Sequence, residues 1–134
     1  MKFEDIKTGM SVEVKSVVTD EMIRLFAKAS GDINPIHLDD DFAEKTNFGK
    51  RIAHGMLIAS FISSAIANEL PGHGTVYRSQ TLKFKHPAFI GDEITTRIEV
   101  ADMIERTHTV TLKTKCSNQD GKVLVMGEAV VIVE

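Results

Sequence analysis

Apolar residues follow two different periods along the chain, and the change between them falls near Gly72. Over residues 10–18, Val12 and Val14 alternate with polar neighbours, a period of two that predicts an opening strand. Thr19 and Asp20 then offer N-cap oxygens ahead of Met22, Ile23, Leu25, Phe26 and Ala29, whose spacing makes one apolar face, and Gly31 supplies a stop. An amphipathic helix over residues 20–30 is expected. A short helix is expected over 39–46, with acids in its first turn where the helix dipole favours them, and a loop over 47–54. From Gly55 to about Leu70, apolar residues occupy almost every side, with only small hydroxyls between them. This is the pattern of a helix buried all round.

After Pro71, Gly72 and Gly74 the period falls to two, as in Leu82-Lys83-Phe84-Lys85 and Val110-Thr111-Leu112-Lys113. Four strands are predicted, over 75–86, 93–104, 107–117 and 123–133, and the last three can run as an antiparallel meander. About five strands, one of them N-terminal, together with one long apolar helix imply an α+β fold. In it a curved antiparallel sheet curls around the central helix, the architecture called a hotdog. Neither a proline-rich linker, a low-complexity tract nor an internal repeat interrupts the pattern, so residues 1–134 read as a single domain.

Composition narrows the function classes. At 43% hydrophobic and 26% charged, with three prolines and nine glycines, the chain is neither disordered nor fibrous. Its 134 residues suffice to bury roughly two thirds of the unfolded surface. The net charge is −3 and no basic stripe runs along the chain, so no nucleic-acid partner is expected. Cys116 has no partner for a disulfide, and residues 1–10 lack the apolar run of a secretory signal; a cytoplasmic location is the expectation. The most apolar run is too short and too interrupted by serines to cross a bilayer, so no membrane partner is expected.

Two segments carry candidate chemistry. In Gly31-Asp32-Ile33-Asn34-Pro35-Ile36-His37 a carboxylate and an imidazole stand five residues apart across a proline that biases Asn34 away from the α region. A shaped loop of this kind can aim both side chains at one water, and such a pair can take a proton from it and return one elsewhere. The same residues also suit a plain structural reading, with Asp32 capping a turn and His37 an ordinary loop histidine. Spacing does not choose between the two. The second segment, Arg51-Ile52-Ala53-His54-Gly55-Met56, puts a glycine where the buried helix starts and its unpaired N–H groups point outward. Without a Cβ, Gly55 would let a carbonyl approach, although a glycine can equally just ease the chain into a crowded helix. His54, His73, His86 and His108 are too scattered to suggest a metal set, and Asp39-Asp40-Asp41 reads as a solvated helix start; no metal is expected.

The first of these segments, with Ala43 six residues after His37, resembles the signature of the (R)-specific enoyl-CoA hydratases of the MaoC-like family. The His54-Gly55-Met56 element and the passage from Phe84 and Pro87 to Gly91-Asp92 fit as well. The resemblance spans the chain. It implies a hotdog homodimer that reversibly hydrates a trans-2-enoyl-CoA to the (R)-3-hydroxyacyl-CoA without metal or organic cofactor, in fatty acid metabolism such as β-oxidation or polyhydroxyalkanoate precursor supply. It places the catalytic dyad at Asp32 and His37 and the thioester-oxygen donor at the N–H of Gly55, and it puts Ser63 near the active site. Arg51, Arg78, Lys83 and Lys85 are candidates to meet the phosphates of an acyl-CoA substrate, and Ile33, Leu38 and Phe42 to meet its acyl chain. Hotdog sheets also carry 3-hydroxyacyl-carrier-protein dehydratases, acyl-CoA thioesterases and non-catalytic acyl-CoA-binding domains, so the fold alone does not select the activity.

Overall fold

The computed structural model describes all 134 residues, Met1–Glu134. A short 3₁₀ turn leads into β1 (Ser11–Val17), followed by α1 (Asp20–Ser30), two short helices α2 (Pro35–Leu38) and α3 (Asp40–Glu44), and the long α4 (Gly55–Asn68). Strands β2 (Val76–Gln80), β3 (Lys83–Phe84), β4 (Glu93–Ile104), β5 (Thr109–Ser117) and β6 (Val123–Ile132) complete the chain. All pair antiparallel in one curved sheet of order β1-β4-β5-β6-β2, with β3 also on β6, and β4, β5 and β6 form the expected meander. The sheet wraps α4, giving the α+β hotdog arrangement.

Local chemistry sets the helix ends. The Met22 N–H donates to Thr19 Oγ1 at 3.1 Å, a cap worth about 1 kcal/mol. Gly31, at φ 80°, takes the left-handed conformation that closes α1. Strand alternation supplies the core. Ile94, Thr96, Ile98 and Val100 of β4 and Val110, Leu112, Thr114 and Cys116 of β5 point inward against Leu57, Ile58, Ile62 and Ile66 of α4. The Cys116 thiol lies in this core, 3.6 Å from the Ile58 carbonyl, and burial pushes its pKa up to about 11. It is a packing residue, not a nucleophile.

Three expectations need correction. The strand expected over 75–86 is two strands, so the sheet has six, because the chain crosses closely over Gly127 of β6 at Thr81. A Cβ at Gly127 would run into the Thr81 carbonyl, and the Thr81 hydroxyl accepts the Glu128 N–H at 2.9 Å. The loop around His37 contains one helical turn, α2. Pro35 fits its first position, where no N–H is needed, and Asn34 Oδ1 accepts the Ile36 N–H at 3.2 Å. Finally, α4 is not buried all round. Met56, Ser60, Ser63, Ser64 and Ala67 face outward, because the sheet covers only one side of the helix within one chain. No helix is long and apolar enough to cross a membrane.

Candidate active site

Asp32 and His37 reach one place from the turn that follows α1. Once Gly31 has closed the helix, the Asp32 N–H donates to Ser30 Oγ at 3.1 Å, and Asp32 Oδ1 accepts the Asn34 N–H at 3.3 Å. The carboxylate therefore shapes its own turn, as the structural reading held, yet it remains solvent-exposed with its second oxygen uncommitted. His37 is 8% exposed, and its Nδ1 lies 2.8 Å from the Ile52 carbonyl. A carbonyl only accepts, so Nδ1 carries the proton and Nε2 keeps a lone pair. Burial holds the imidazole below its ordinary pKa of 6.5, reinforced by His54 and opposed by the Ile52 bond and the Asp32 charge. His37 is thus a neutral proton acceptor beside a carboxylate.

Arg51, expected only as a candidate for substrate phosphates, and His54, expected to stand apart from any cluster, both lie here. Arg51 is 7% exposed; its Nε donates to the His37 carbonyl at 2.7 Å and its Nη2 to Asp20 Oδ1 at 2.5 Å. Hydrogen bonds from Arg51 and Arg24 hold the Asp20 carboxyl below the usual carboxylate range. This buried guanidinium joins the His37 turn to α1, and its burial argues against Arg51 as a contact for substrate phosphates. His54 is not scattered away from the dyad: its ring stacks on His37 at 3.9 Å between centroids, and Phe26 meets its other side edge-on at 4.9 Å. Asp32, His37 and His54 each offer a ligand atom within 4.8 Å of the others. The two imidazoles are stacked with 27° between their planes.

Gly55 opens α4 next to this group. The N–H groups of Leu57 and Ile58 both turn back to the His54 carbonyl, at 3.0 and 3.3 Å, so those of Gly55 and Met56 are left as unpaired donors at the positive end of the helix. The Phe84 ring lies against Gly55; a Cβ there would come within 2.7 Å of Phe84 Cδ1, and the ring would have to turn aside. A cavity of about 400 Å³ adjoins it, lined by Phe48, Ile52, Gly55, Phe84, Lys85 and Ala88 among others. Lys85 stands at its rim, while Lys83 lies on the outer face of the sheet and Arg78 on β2. Ile33 and Phe42 are exposed and Leu38 packs partly into the core.

The structure therefore brings Asp32, His37 and the start of α4 together. It does not bring Ser63 into the group: Ser63 lies on the outward side of α4, about 12 Å along the helix from Gly55 at 1.5 Å per residue.

Residues 2–120 match the MaoC like domain family. The chain is 45% identical over 131 residues to the (R)-specific enoyl-CoA hydratase of Rhodospirillum rubrum, covering 98% of this chain and 90% of that protein. It is 40% identical to the (R)-specific enoyl-CoA hydratase of Aeromonas caviae, covering 98% of each. Its structure superposes with a TM-score of 0.95 on the unliganded R-hydratase of Pseudomonas aeruginosa, at 41% identity over 98% of this chain and 84% of that one. A family match over most of the sequence, joined to relatives this similar along nearly its whole length, means that the protein belongs to the MaoC-like family.

Proposed function

We propose that this protein is a hydro-lyase that reversibly adds water to a trans-2-enoyl-CoA to give the (R)-3-hydroxyacyl-CoA. One observation carries the reading: a carboxylate and a neutral imidazole with a free Nε2 meet beside the unpaired N–H groups that begin a buried helix. The enoyl thioester lies with its carbonyl oxygen on the Gly55 N–H and its double bond over the Asp32–His37 pair. A water between the two gives up a proton to the pair as its oxygen attacks the β carbon, and electron density moves through the double bond to the thioester oxygen. The N–H of Gly55 and the helix dipole stabilise that developing charge, an interaction stronger in the transition state than in the substrate. The pair then returns a proton to the α carbon, so one water is added and no external acid or base is consumed.

The dipole-backed donor and the proton pair use only this chain's residues, and no cofactor or metal enters the proposed chemistry. The cavity beside Gly55, apolar along most of its lining, suits the acyl-pantetheine portion, and Lys85 at its rim suits a phosphate of coenzyme A. Ser63, on the outward side of α4, takes no part in the proposed chemistry. The working form is a homodimer. Edge strand β2 leaves its outer backbone unpaired with Val76 and Tyr77 exposed, and the outward face of α4 is covered by nothing in its own chain. The setting is the cytoplasm.

Incubation with crotonyl-CoA, with chiral analysis of the product and a thiol assay in parallel, tests the activity. The expected result is (R)-3-hydroxybutyryl-CoA with no free thiol. Thiol release points instead to a thioesterase, turnover only of the carrier-protein thioester to a carrier-protein dehydratase, and binding without turnover to a non-catalytic acyl-CoA-binding domain.

A further inference from the structure

His54 precedes α4 in the N-cap position, yet its side chain does not cap the helix. Its Nε2 lies 2.9 Å from the carbonyl of Asp32, 22 residues earlier. That carbonyl only accepts, so the proton of His54 resides on Nε2 and Nδ1 holds the lone pair. The ring is 2% exposed and Nδ1 has no hydrogen-bond partner. His37 is its counterpart: the proton is on Nδ1, the acceptor is Ile52, and the ring is stacked against that of His54.

The two histidines therefore tie two segments together reciprocally. His37 leaves the first segment to bond the second, and His54 leaves the second to bond the first. At the His37 end there are two more ties, from Arg51 Nε to the His37 carbonyl at 2.7 Å and from the Ile52 N–H to the Ile36 carbonyl at 3.3 Å. At the Asp32 end the His54 bond is the only one. The remaining hydrogen bonds of Asp32 are local, to Ser30 and Asn34.

We infer that His54 is a positioning residue: its Nε2–H bond and its stacked ring hold the Asp32 backbone in register with the N–H of Gly55, the next residue in the chain. The inference rests on the hydration reading above, in which the carboxylate and the helix N–H act on two ends of one conjugated system. Losing the tie displaces the proton pair relative to the oxyanion donor, and a displacement of about 1 Å in such an arrangement costs about a hundredfold in rate. Substrate binding, which depends on the cavity and its rim, is little affected.

Three measurements test this. His54→Phe keeps a stacking ring and removes the donor; His54→Gln replaces the ring with an amide whose N–H reaches about as far as Nε2. For crotonyl-CoA hydration, kcat of the Phe variant should fall roughly ten- to a hundredfold with KM within about twofold of wild type, and the Gln variant should recover most of the loss. Nitrogen-15 NMR of the histidines in the wild-type protein at pH 7 should show a ring protonated at Nε2 whose signal is lost in the Gln variant. A Phe variant with wild-type kcat, a Gln variant no better than Phe, or a His54 whose Nε2 carries no proton would each overturn the inference. If the Phe variant does not fold, the Gln kinetics and the NMR assignment decide. A wild type that does not hydrate the thioester at all sinks the hydration reading, and the NMR result then stands as a separate test of the tautomer.

Discussion

The chemistry of His37 is decided by which of its nitrogens holds the proton. The Ile52 carbonyl fixes it on Nδ1, and burial keeps the ring neutral below the ordinary histidine value of 6.5. The sign follows directly: a base whose folded pKa is depressed stays unprotonated as pH falls past 6.5, and only loses its lone pair below that. The acid limb of kcat/KM on crotonyl-CoA is therefore expected below pH 6.5, and a limb at or above that value would contradict the assigned role. The same depression makes the contribution of His37 to stability present above 6.5 and lost as pH falls through its folded pKa. Asp32 and His37 were legible in the sequence because they lie in one short segment whose proline and asparagine shape the chain. Arg51 and His54 were not, since their partners Asp20 and Asp32 stand 31 and 22 residues away. Nothing in the local pattern around a buried arginine says which distant acid receives it.

Elements whose ends are set by neighbouring residues were read closely. The bounds of α1 follow from Thr19 at one end and Gly31 at the other, both local devices. The break between β2 and β3 is different in kind, because it is imposed by Gly127 and Glu128 on β6, 46 and 47 residues beyond Thr81. Period-two patterning runs straight through the break and gives no sign of it. The crossing makes a sharp prediction: Gly127→Ala drives a Cβ into the Thr81 backbone, which cannot swing aside as a side chain can. A loss of roughly 1–3 kcal/mol is expected in urea unfolding, and unchanged stability would show that the two strands do not cross there as described. At Gly55 the added Cβ meets a half-exposed Phe84 ring instead, which can rotate away. Gly55→Ala should therefore impair turnover more than folding, as seen by comparing kcat/KM with the unfolding midpoint.

For the molecule as a whole, the α+β hotdog arrangement followed from one apolar helix early in the chain and a run of strands after it. How much of that helix a single chain leaves uncovered did not follow, since an all-round apolar pattern does not say whether the covering surface belongs to the same chain. Met56 is 56% exposed and Val76 57%, large apolar side chains on the outward face of α4 and on the edge strand. In the proposed dimer a second copy laid over them would remove both from water. Light scattering should give twice the 14.8 kDa chain mass, and a clean monomer at micromolar concentration would remove the dimer from the account. The central claim is that the Asp32–His37 pair performs the hydration. It is tested most directly by following the loss of enoyl-thioester absorbance of crotonyl-CoA with wild type, Asp32→Asn and His37→Ala, each shown to be folded. The account predicts rapid loss with wild type and a decrease of at least about a hundredfold with either variant. Turnover by either variant at the wild-type rate would contradict it.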